Sequence, residues 1–185
     1  LKSRQLGIST LTACYAVWLA CFYKDKNVLV IATKLAVAQN FIKKVKTAMR
    51  SMPPWLMLPD VVSQNKQGIE LSNGSTIKAV PTSDDAGRSE ALSLLIVDEA
   101  AFIRNFEELW MGLYSTLSTG GRAIIVSTPN GVGDKYHELC VQAENKENEF
   151  NFIKLMWDVH PERDDTWFNN ETKNISKKQI AQELM

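Results

Sequence analysis

A short polar segment near the start of the sequence has the residue types of a phosphate-binding loop. Residues 2–10 are Lys-Ser-Arg-Gln-Leu-Gly-Ile-Ser-Thr. In the common form of such a loop, glycines let backbone amides approach the phosphates, and a lysine and a hydroxyl follow. Gly7 and Ser9 occupy the second glycine and hydroxyl positions, but Ile8 stands where the lysine belongs and Lys2 where the first glycine belongs. A long Lys2 side chain could reach the phosphates from the front of the loop. A plain turn into a buried helix is the alternative.

Two further segments end in side chains that could take part in the binding or hydrolysis of a nucleoside triphosphate. Asp98 and Glu99 follow the aliphatic run Leu94-Leu95-Ile96-Val97. A carboxylate at a strand end can hold a Mg²⁺-bound water, and its neighbour can orient and deprotonate the attacking water. Ser127 and Thr128 follow another aliphatic run, and hydroxyls in that place could sense the γ-phosphate. A strand that runs into an acidic turn is the ordinary alternative for the first of these segments.

The order of the three segments makes the joint interpretation more specific than any one of them. The loop comes first, the acidic strand end follows 89 positions after Ser9, and the hydroxyl strand end comes 29 positions later. The second interval suits one strand–helix–strand unit. Together they favour a P-loop nucleoside triphosphatase, which hydrolyses ATP by positioning and electrostatics instead of covalent chemistry.

The elements that must position these residues alternate between strands and helices along the chain. Strands are predicted at residues 28–32, 94–97, 123–126 and 150–157, and helices at 10–23, 36–49, 107–117, 136–144 and 176–185. The Asn73-Gly74 pair predicts a β-hairpin near 69–80. This alternation indicates an α/β class with a mainly parallel sheet flanked by helices, and ligands bind at the carboxyl ends of the strands of such sheets.

The composition of the chain bears on whether it could bind nucleic acid or span a membrane. The chain has 185 residues, as expected for one domain, and its 21 basic and 21 acidic residues give a formal net charge of 0. Any nucleic-acid contact must therefore come from a local patch or from a part of the protein outside this sequence. Lys43, Lys44 and Lys46 form a basic stripe that could face a DNA backbone, but a solvated helix face is the favoured interpretation. The longest apolar run, residues 13–23, is about half the length needed to span a bilayer. It predicts a helix that is apolar nearly all round and buried against a sheet, and no membrane partner is expected.

These motifs resemble those of one known family. Lys2-Ser3-Arg4-Gln5-Leu6-Gly7-Ile8-Ser9, Leu95-Ile96-Val97-Asp98-Glu99-Ala100 and Ser127-Thr128-Pro129-Asn130-Gly131 resemble the deviant Walker A, the Walker B and the coupling motif of the large terminase subunit of tailed bacteriophages, the T4-like phages in particular. Relatives with a lysine at the front of the loop are known in this family. The resemblance continues through Trp157, His160-Pro161 and the closing Gln182-Glu183-Leu184. It implies a RecA-like P-loop fold of the ASCE type.

The resemblance also implies a role for each matching position. Lys2, Gly7, Ile8, Ser9 and Thr10 would form the ATP-binding loop, with Lys2 on the phosphates. Ser9 and Asp98 would hold Mg²⁺, and Glu99 would be the catalytic base. Ser127 and Thr128 would couple hydrolysis to movement. Arg88 suits the place of a trans-acting arginine finger, and Arg4 within the loop is the rival candidate. A planar guanidinium suits the charge of a transferring phosphoryl group.

At the level of the whole protein, the resemblance implies a Mg²⁺-dependent ATPase that drives double-stranded DNA into a viral prohead. Its partners would be the DNA, the portal protein, the small terminase subunit and further copies of itself in a ring, all in the host cytoplasm. Residues 1–185 would be a fragment of the ATPase domain, without the upstream strand and adenine-binding segment and without the downstream nuclease domain. Another RecA-like DNA helicase or translocase is the first alternative. A degenerate nucleotide-binding or portal-docking module is the second.

Overall fold

The computed structural model describes residues 1–82, 91–117 and 120–184 of the chain. Six α-helices and six β-strands have these bounds: α1 Ile8–Phe22, β1 Asn27–Ala32, α2 Leu35–Ser51, β2 Val61–Gln64, β3 Gly68–Leu71, β4 Thr76–Pro81, β5 Leu94–Asp98, α3 Phe106–Tyr114, β6 Arg122–Val126, α4 Lys135–Glu144, α5 Asp165–Thr172 and α6 Lys177–Glu183. Short 3-10 helices at Ala100–Phe102, Ser115–Leu117 and Trp157–Val159 complete the described elements. No helix in these described ranges has the length and apolarity that a membrane span requires.

One six-stranded sheet, in the order β2-β3-β4-β1-β5-β6, organises the molecule. The central strand β1 runs parallel to both β4 and β5, with Val28 opposite Ile77 on one side and Leu94 on the other. Strands β2, β3 and β4 pair antiparallel and extend the sheet at one edge. The α/β class with parallel central strands that the sequence predicted is therefore confirmed.

The predicted hairpin forms, and it belongs to the sheet. Asn73 and Gly74 lie in the turn between β3 and β4, where Gly74 has a φ of +82°. The Asn73 side-chain amide donates to the carbonyls of Ala20 and Tyr23 at the end of α1. The second hairpin strand pairs directly with β1. The hairpin is therefore an integral part of the main sheet, and β2 pairs with its first strand to form the sheet edge.

The chain divides into two compact units, and the larger consists of Gly7–Ile125. Its apolar core lies between α1, α2 and the sheet. Strand β5 is buried along its whole length, as continuous aliphatic runs are in parallel sheets. Helix α1 packs through small residues such as Ala13, Ala16 and Ala20, which have no exposed surface. The predicted packing of this helix against the sheet is confirmed, and Leu11, Trp18 and Phe22 lie on its exposed face.

The smaller unit consists of Leu1–Leu6 together with Val126–Met185. Helices α4, α5 and α6 all begin with a side-chain cap: Asp134, Asp164 and Ser176 accept a hydrogen bond from a backbone amide of the first turn. Helix α6 was predicted from the sequence, whereas α5 lies in a polar segment that gave no helical signal. Trp157 stacks on Phe168 with ring centroids 4.6 Å apart, and this aromatic contact holds the start of α5.

The strand predicted at residues 150–157 is wrong. Only Leu155 forms a β-bridge in that described segment, parallel to Lys2. The Leu155 amide donates to the Leu1 carbonyl, and the Ser3 amide donates to the Leu155 carbonyl. Because the segment finds so few backbone partners and then turns into the 3-10 helix at Trp157, the pairing stops short of a strand.

Candidate nucleotide-binding site

The start of helix α1 carries the second half of the predicted phosphate loop. Gly7 is the N-cap with a φ of +75°, a conformation that glycine adopts at little cost. Its carbonyl accepts hydrogen bonds from the amides of Thr10 and Leu11. The helix has no side-chain cap and no acidic residue in its first turn. Because the N-terminus of a helix presents backbone amides and the positive end of its dipole, this one suits an anion.

Ser9 and Asp98 meet in this unit. The Ser9 hydroxyl donates to Asp98 Oδ2 at 2.9 Å, although the two residues are 89 positions apart. Ser9 lies in the first turn of α1, and Asp98 is the last residue of β5. The carboxyl end of the acidic strand therefore lies against the start of α1. The pair offers a hydroxyl and a carboxylate oxygen, which is the oxygen donor set that Mg²⁺ takes beside phosphate oxygens and waters.

Glu99 follows Asp98 in an unusual backbone conformation. Its φ of +58° places it in the left-handed region, where a non-glycine residue costs about 1–2 kcal/mol. The chain turns there from β5 into the 3-10 helix at Ala100–Phe102. Glu99 is half-buried, whereas Asp98 is only 7% exposed. Backbone strain of this kind persists where the surroundings hold it and is common at functional sites.

The front half of the predicted loop lies in the smaller unit, beside the predicted coupling motif. The Lys2 amide donates to the Ser127 carbonyl at 3.0 Å, and Tyr136 Oη donates to the same carbonyl at 3.4 Å. Lys2 is 7% exposed, and Ser127 and Thr128 are also buried. The first loop residues are therefore fixed to the coupling motif by the backbone.

Arg4 contacts the end of helix α6. Its amide donates to the Glu183 carbonyl at 2.7 Å, and its guanidinium forms an ion pair with Glu183 Oε2 at 2.9 Å. Gln182 of the same helix donates to the side chain of Asn130 in the coupling motif. Arg163 donates to the carbonyls of Arg4 and Gln5. These contacts span 52 to 179 positions, and no motif in the sequence marks Arg163, Gln182 or Glu183 as neighbours of the loop.

Most of the buried polar and charged residues in the described part of the chain belong to the predicted motifs. Lys2 and Asp98 are the charged residues that the described ranges bury, and both are predicted site residues. The buried uncharged polar residues include Ser3, Ser127 and Thr128, which belong to the same motifs. Since burial of a charge costs free energy unless partners compensate it, such a concentration points to a functional site.

The structure gives less information about the remaining predicted site residues. Ile8 is half-buried and Thr10 is exposed, both in the first turn of α1. Arg88, the candidate arginine finger, lies outside the described residues. The assignment of individual roles to the predicted site residues stays a prediction.

The fold is a RecA-like α/β fold with a mainly parallel sheet flanked by helices. A family model described as the N-terminal part of the T4-like virus-type terminase large subunit matches residues 1–184, and the chain belongs to this family. The resemblance inferred from the motifs is confirmed. Family and fold together indicate the DNA-packaging motor of a terminase.

Several large terminases of known structure have a similar fold. The ATPase domain from Thermus phage P74-26 matches with a TM-score of 0.76 and 21% identity, over 100% of this chain and 85% of that one. The large terminase of a thermophilic bacteriophage, solved in complex with ADP, matches with a TM-score of 0.74 and 11% identity, over 95% and 44%. The HK97 bacteriophage large terminase matches with a TM-score of 0.69 and 15% identity, over 98% and 41%. The chain therefore spans less than half the length of these last two terminases.

Proposed function

We propose that this chain binds and hydrolyses ATP with Mg²⁺ and that the hydrolysis drives double-stranded DNA into a viral prohead. The observation that carries the proposal is the 2.9 Å hydrogen bond between the Ser9 hydroxyl and Asp98 Oδ2. It joins the start of an uncapped helix to the acidic end of a buried strand. The ADP held by the terminase of the thermophilic bacteriophage, which shares the fold, supports nucleotide binding.

Within this proposal, the residues of the larger unit have distinct tasks. The start of α1 binds phosphate oxygens through its backbone amides. Ser9 and Asp98 would hold Mg²⁺, which neutralises phosphate charge when bound. Glu99, at the turn after Asp98, orients a water molecule and accepts its proton on a carboxylate oxygen as the water attacks the γ-phosphorus. The bond from that phosphorus to the β–γ bridging oxygen breaks, and ADP leaves with the electron pair. Lys2 is proposed to contact the phosphates on the strength of the family resemblance.

The partners follow from the family. We propose double-stranded DNA, the portal protein, the small terminase subunit and further copies of the chain in a ring, acting in the host cytoplasm and transiently on the prohead. Arg88 or Arg4 is proposed as the arginine that completes the transition state. Ser127 and Thr128 are proposed to couple hydrolysis to movement, which the burial of both residues and the hydrogen bond from the Lys2 amide to the Ser127 carbonyl support.

The change Glu99→Gln tests the function. It removes the base but keeps the size and hydrogen-bonding capacity of the side chain, so ATP turnover is expected to fall about 10²–10⁴-fold while ATP affinity stays within a few-fold. Steady-state ATPase assays with and without double-stranded DNA, together with nucleotide titrations, measure both quantities. Lys2→Ala is expected to weaken ATP binding in the same assays.

The matched control is Glu108→Gln in α3, which changes an exposed glutamate in the same way. It is expected to turn over ATP like the unaltered chain. Normal ATP turnover in Glu99→Gln would show that Glu99 is not the catalytic base. Normal ATP binding in Lys2→Ala would show that Lys2 does not contact the phosphates.

A further inference from the structure

Arg163 packs against aromatic side chains in the smaller unit. It follows the 3-10 helix at Trp157–Val159 and precedes α5. Its guanidinium carbon lies 4.5 Å from the centroid of the Trp167 ring, and Trp167 stacks on Trp157 at 6.0 Å between centroids. A guanidinium that lies over an indole face is attracted by the ring and has its plane restricted. Arg163 is therefore held in one orientation by its packing.

From this position, Arg163 contacts two successive carbonyls of the phosphate loop. Nη1 donates to the Arg4 carbonyl at 3.2 Å, and Nη2 donates to the Gln5 carbonyl at 3.4 Å. The planar fork of arginine presents these two donors from separate nitrogens in a fixed geometry, whereas the donors of lysine all lie on one nitrogen at the end of a flexible chain. Gln5 has a φ of +60°, so the carbonyls that Arg163 engages flank a strained residue.

A second contact holds the same turn. The Arg4 amide donates to the Glu183 carbonyl at 2.7 Å, and the Arg4 guanidinium pairs with the Glu183 carboxylate. The donor and the acceptor of the Arg4 backbone are thus both engaged. Backbone polar groups that lack partners cost free energy, and a loop that offers amides to an anion must satisfy its carbonyls elsewhere. Arg163 satisfies two of these carbonyls.

We propose that Arg163 is a positioning residue for the phosphate loop, and that it fixes the Arg4–Gln5 turn in the conformation that receives the phosphates of a nucleoside triphosphate. The proposal rests on the proposed function for its ligand. Arg163 acts through the loop backbone and touches no reacting atom. Its positive charge also lies beside a loop whose ligand is an anion, but the positioning role depends on the fork of two donors and not on the charge alone.

The experiment compares Arg163→Ala and Arg163→Lys with the unaltered full chain. Both variants are expected to weaken ATP binding about tenfold, which corresponds to the loss of hydrogen bonds from a charged donor. Hydrogen–deuterium exchange of the amides of residues 2–7, measured without nucleotide, is expected to become faster in both. The control Lys177→Ala removes an exposed positive charge from the same unit and is expected to change neither quantity.

Each outcome decides a different point. If Arg163→Lys binds ATP and exchanges its loop amides like the unaltered chain, the positive charge is sufficient and the positioning role is overturned. This variant also decides the question if Arg163→Ala does not fold. If the unaltered chain binds no nucleotide while the loop amides of both variants exchange faster, the proposed function fails and the positioning of the loop stands. If exchange and binding are unchanged in every variant, Arg163 does not position the loop.

Discussion

At the scale of single residues, the site depends on side chains that the fold buries despite their polarity. Asp98 is 7% exposed and accepts a hydrogen bond from Ser9. A buried carboxylate keeps its charge only where donors or cations compensate for lost hydration. The Ser9 hydroxyl provides part of that compensation, and it links the stability of the chain to the geometry of the candidate Mg²⁺ site.

The change Ser9→Ala is expected to lower the free energy of unfolding by about 1–2 kcal/mol, because the Asp98 carboxylate loses a hydrogen-bond donor. It is also expected to weaken ATP binding in the presence of Mg²⁺ more than in its absence. Urea unfolding and nucleotide titrations with and without Mg²⁺ measure these effects. Ser115→Ala is the control, because the exposed Ser115 hydroxyl donates to the carbonyl of Gly112 within its own helical turn. Equal losses in the two variants would contradict a special role for Ser9.

At the scale of secondary-structure elements, the start of α1 depends on Gly7. The backbone conformation at this position favours glycine, although the space around it would admit a side chain. A Cβ added to Gly7 would meet no atom within 4 Å, but the φ of +75° disfavours any other residue. The cost of a substitution there is therefore conformational and not steric. The helix start can be perturbed without creating a clash.

The change Gly7→Ala is expected to cost about 1–2 kcal/mol of stability and to weaken ATP binding, since the first amides of α1 shift. Gly120→Ala is a matched control, because Gly120 has a φ of +93° and its added Cβ also meets nothing within 4 Å. Thermal unfolding should show similar losses for both variants, and nucleotide titration should separate them. A Gly120→Ala variant with the same loss of ATP affinity would show that the effect is general destabilisation.

The elements that the sequence predicted well are those with strong local signals. Helix α2 shows helical spacing of its buried residues, β5 is a continuous aliphatic run, and the Asn73-Gly74 pair marks its hairpin. Residues 150–157 have strand composition, but the β-bridge that this described segment forms joins Leu155 to Lys2, at the start of the given sequence. Helix α5 is polar and depends on the aromatic contact with Trp157. Local pattern cannot show such tertiary partners.

The same division holds for the candidate site. The meeting of Ser9 and Asp98 could be predicted, because motif order and the rule that ligands bind at the carboxyl ends of parallel strands place them together. The contacts of Arg163 and Glu183 with the loop could not be predicted. They join residues 158 to 179 positions apart through backbone carbonyls and amides, and backbone groups leave no trace in residue type.

At the scale of the whole molecule, the balance of charge is the property with a direct physical consequence. With 21 basic and 21 acidic residues, the chain has a formal net charge of 0 and a pI near 6.9. Copies of the chain therefore repel one another least near neutral pH. Double-stranded DNA would likewise meet no net attraction from the chain as a whole, so contact with it depends on local basic groups.

The solubility of the 185-residue chain is expected to pass through a minimum near its pI of about 6.9 and to rise on either side, as net charge of either sign accumulates. Precipitation by polyethylene glycol at a series of pH values measures this. A variant with Lys177 and Lys178 both changed to Glu is the comparison: its minimum is expected to move to lower pH. A minimum that stays in place would show that surface apolar contacts, and not net charge, govern association.

The pairing of residues 1–4 with Leu155 and Glu183 has a consequence for biosynthesis. A ribosome extends the chain from its amino end, so the segment Gly7–Ile125 is available to condense while the later residues are still being added. Leu1, Ser3 and Arg4 must wait until their distant partners have emerged. Bringing these distant segments together also costs conformational entropy, and this cost slows the formation of their contacts. The Lys2–Gln5 turn consequently cannot form its native contacts before residue 183 has been synthesised, and a ribosome that stalls earlier leaves a nascent chain whose Arg4 has no Glu183 to bind.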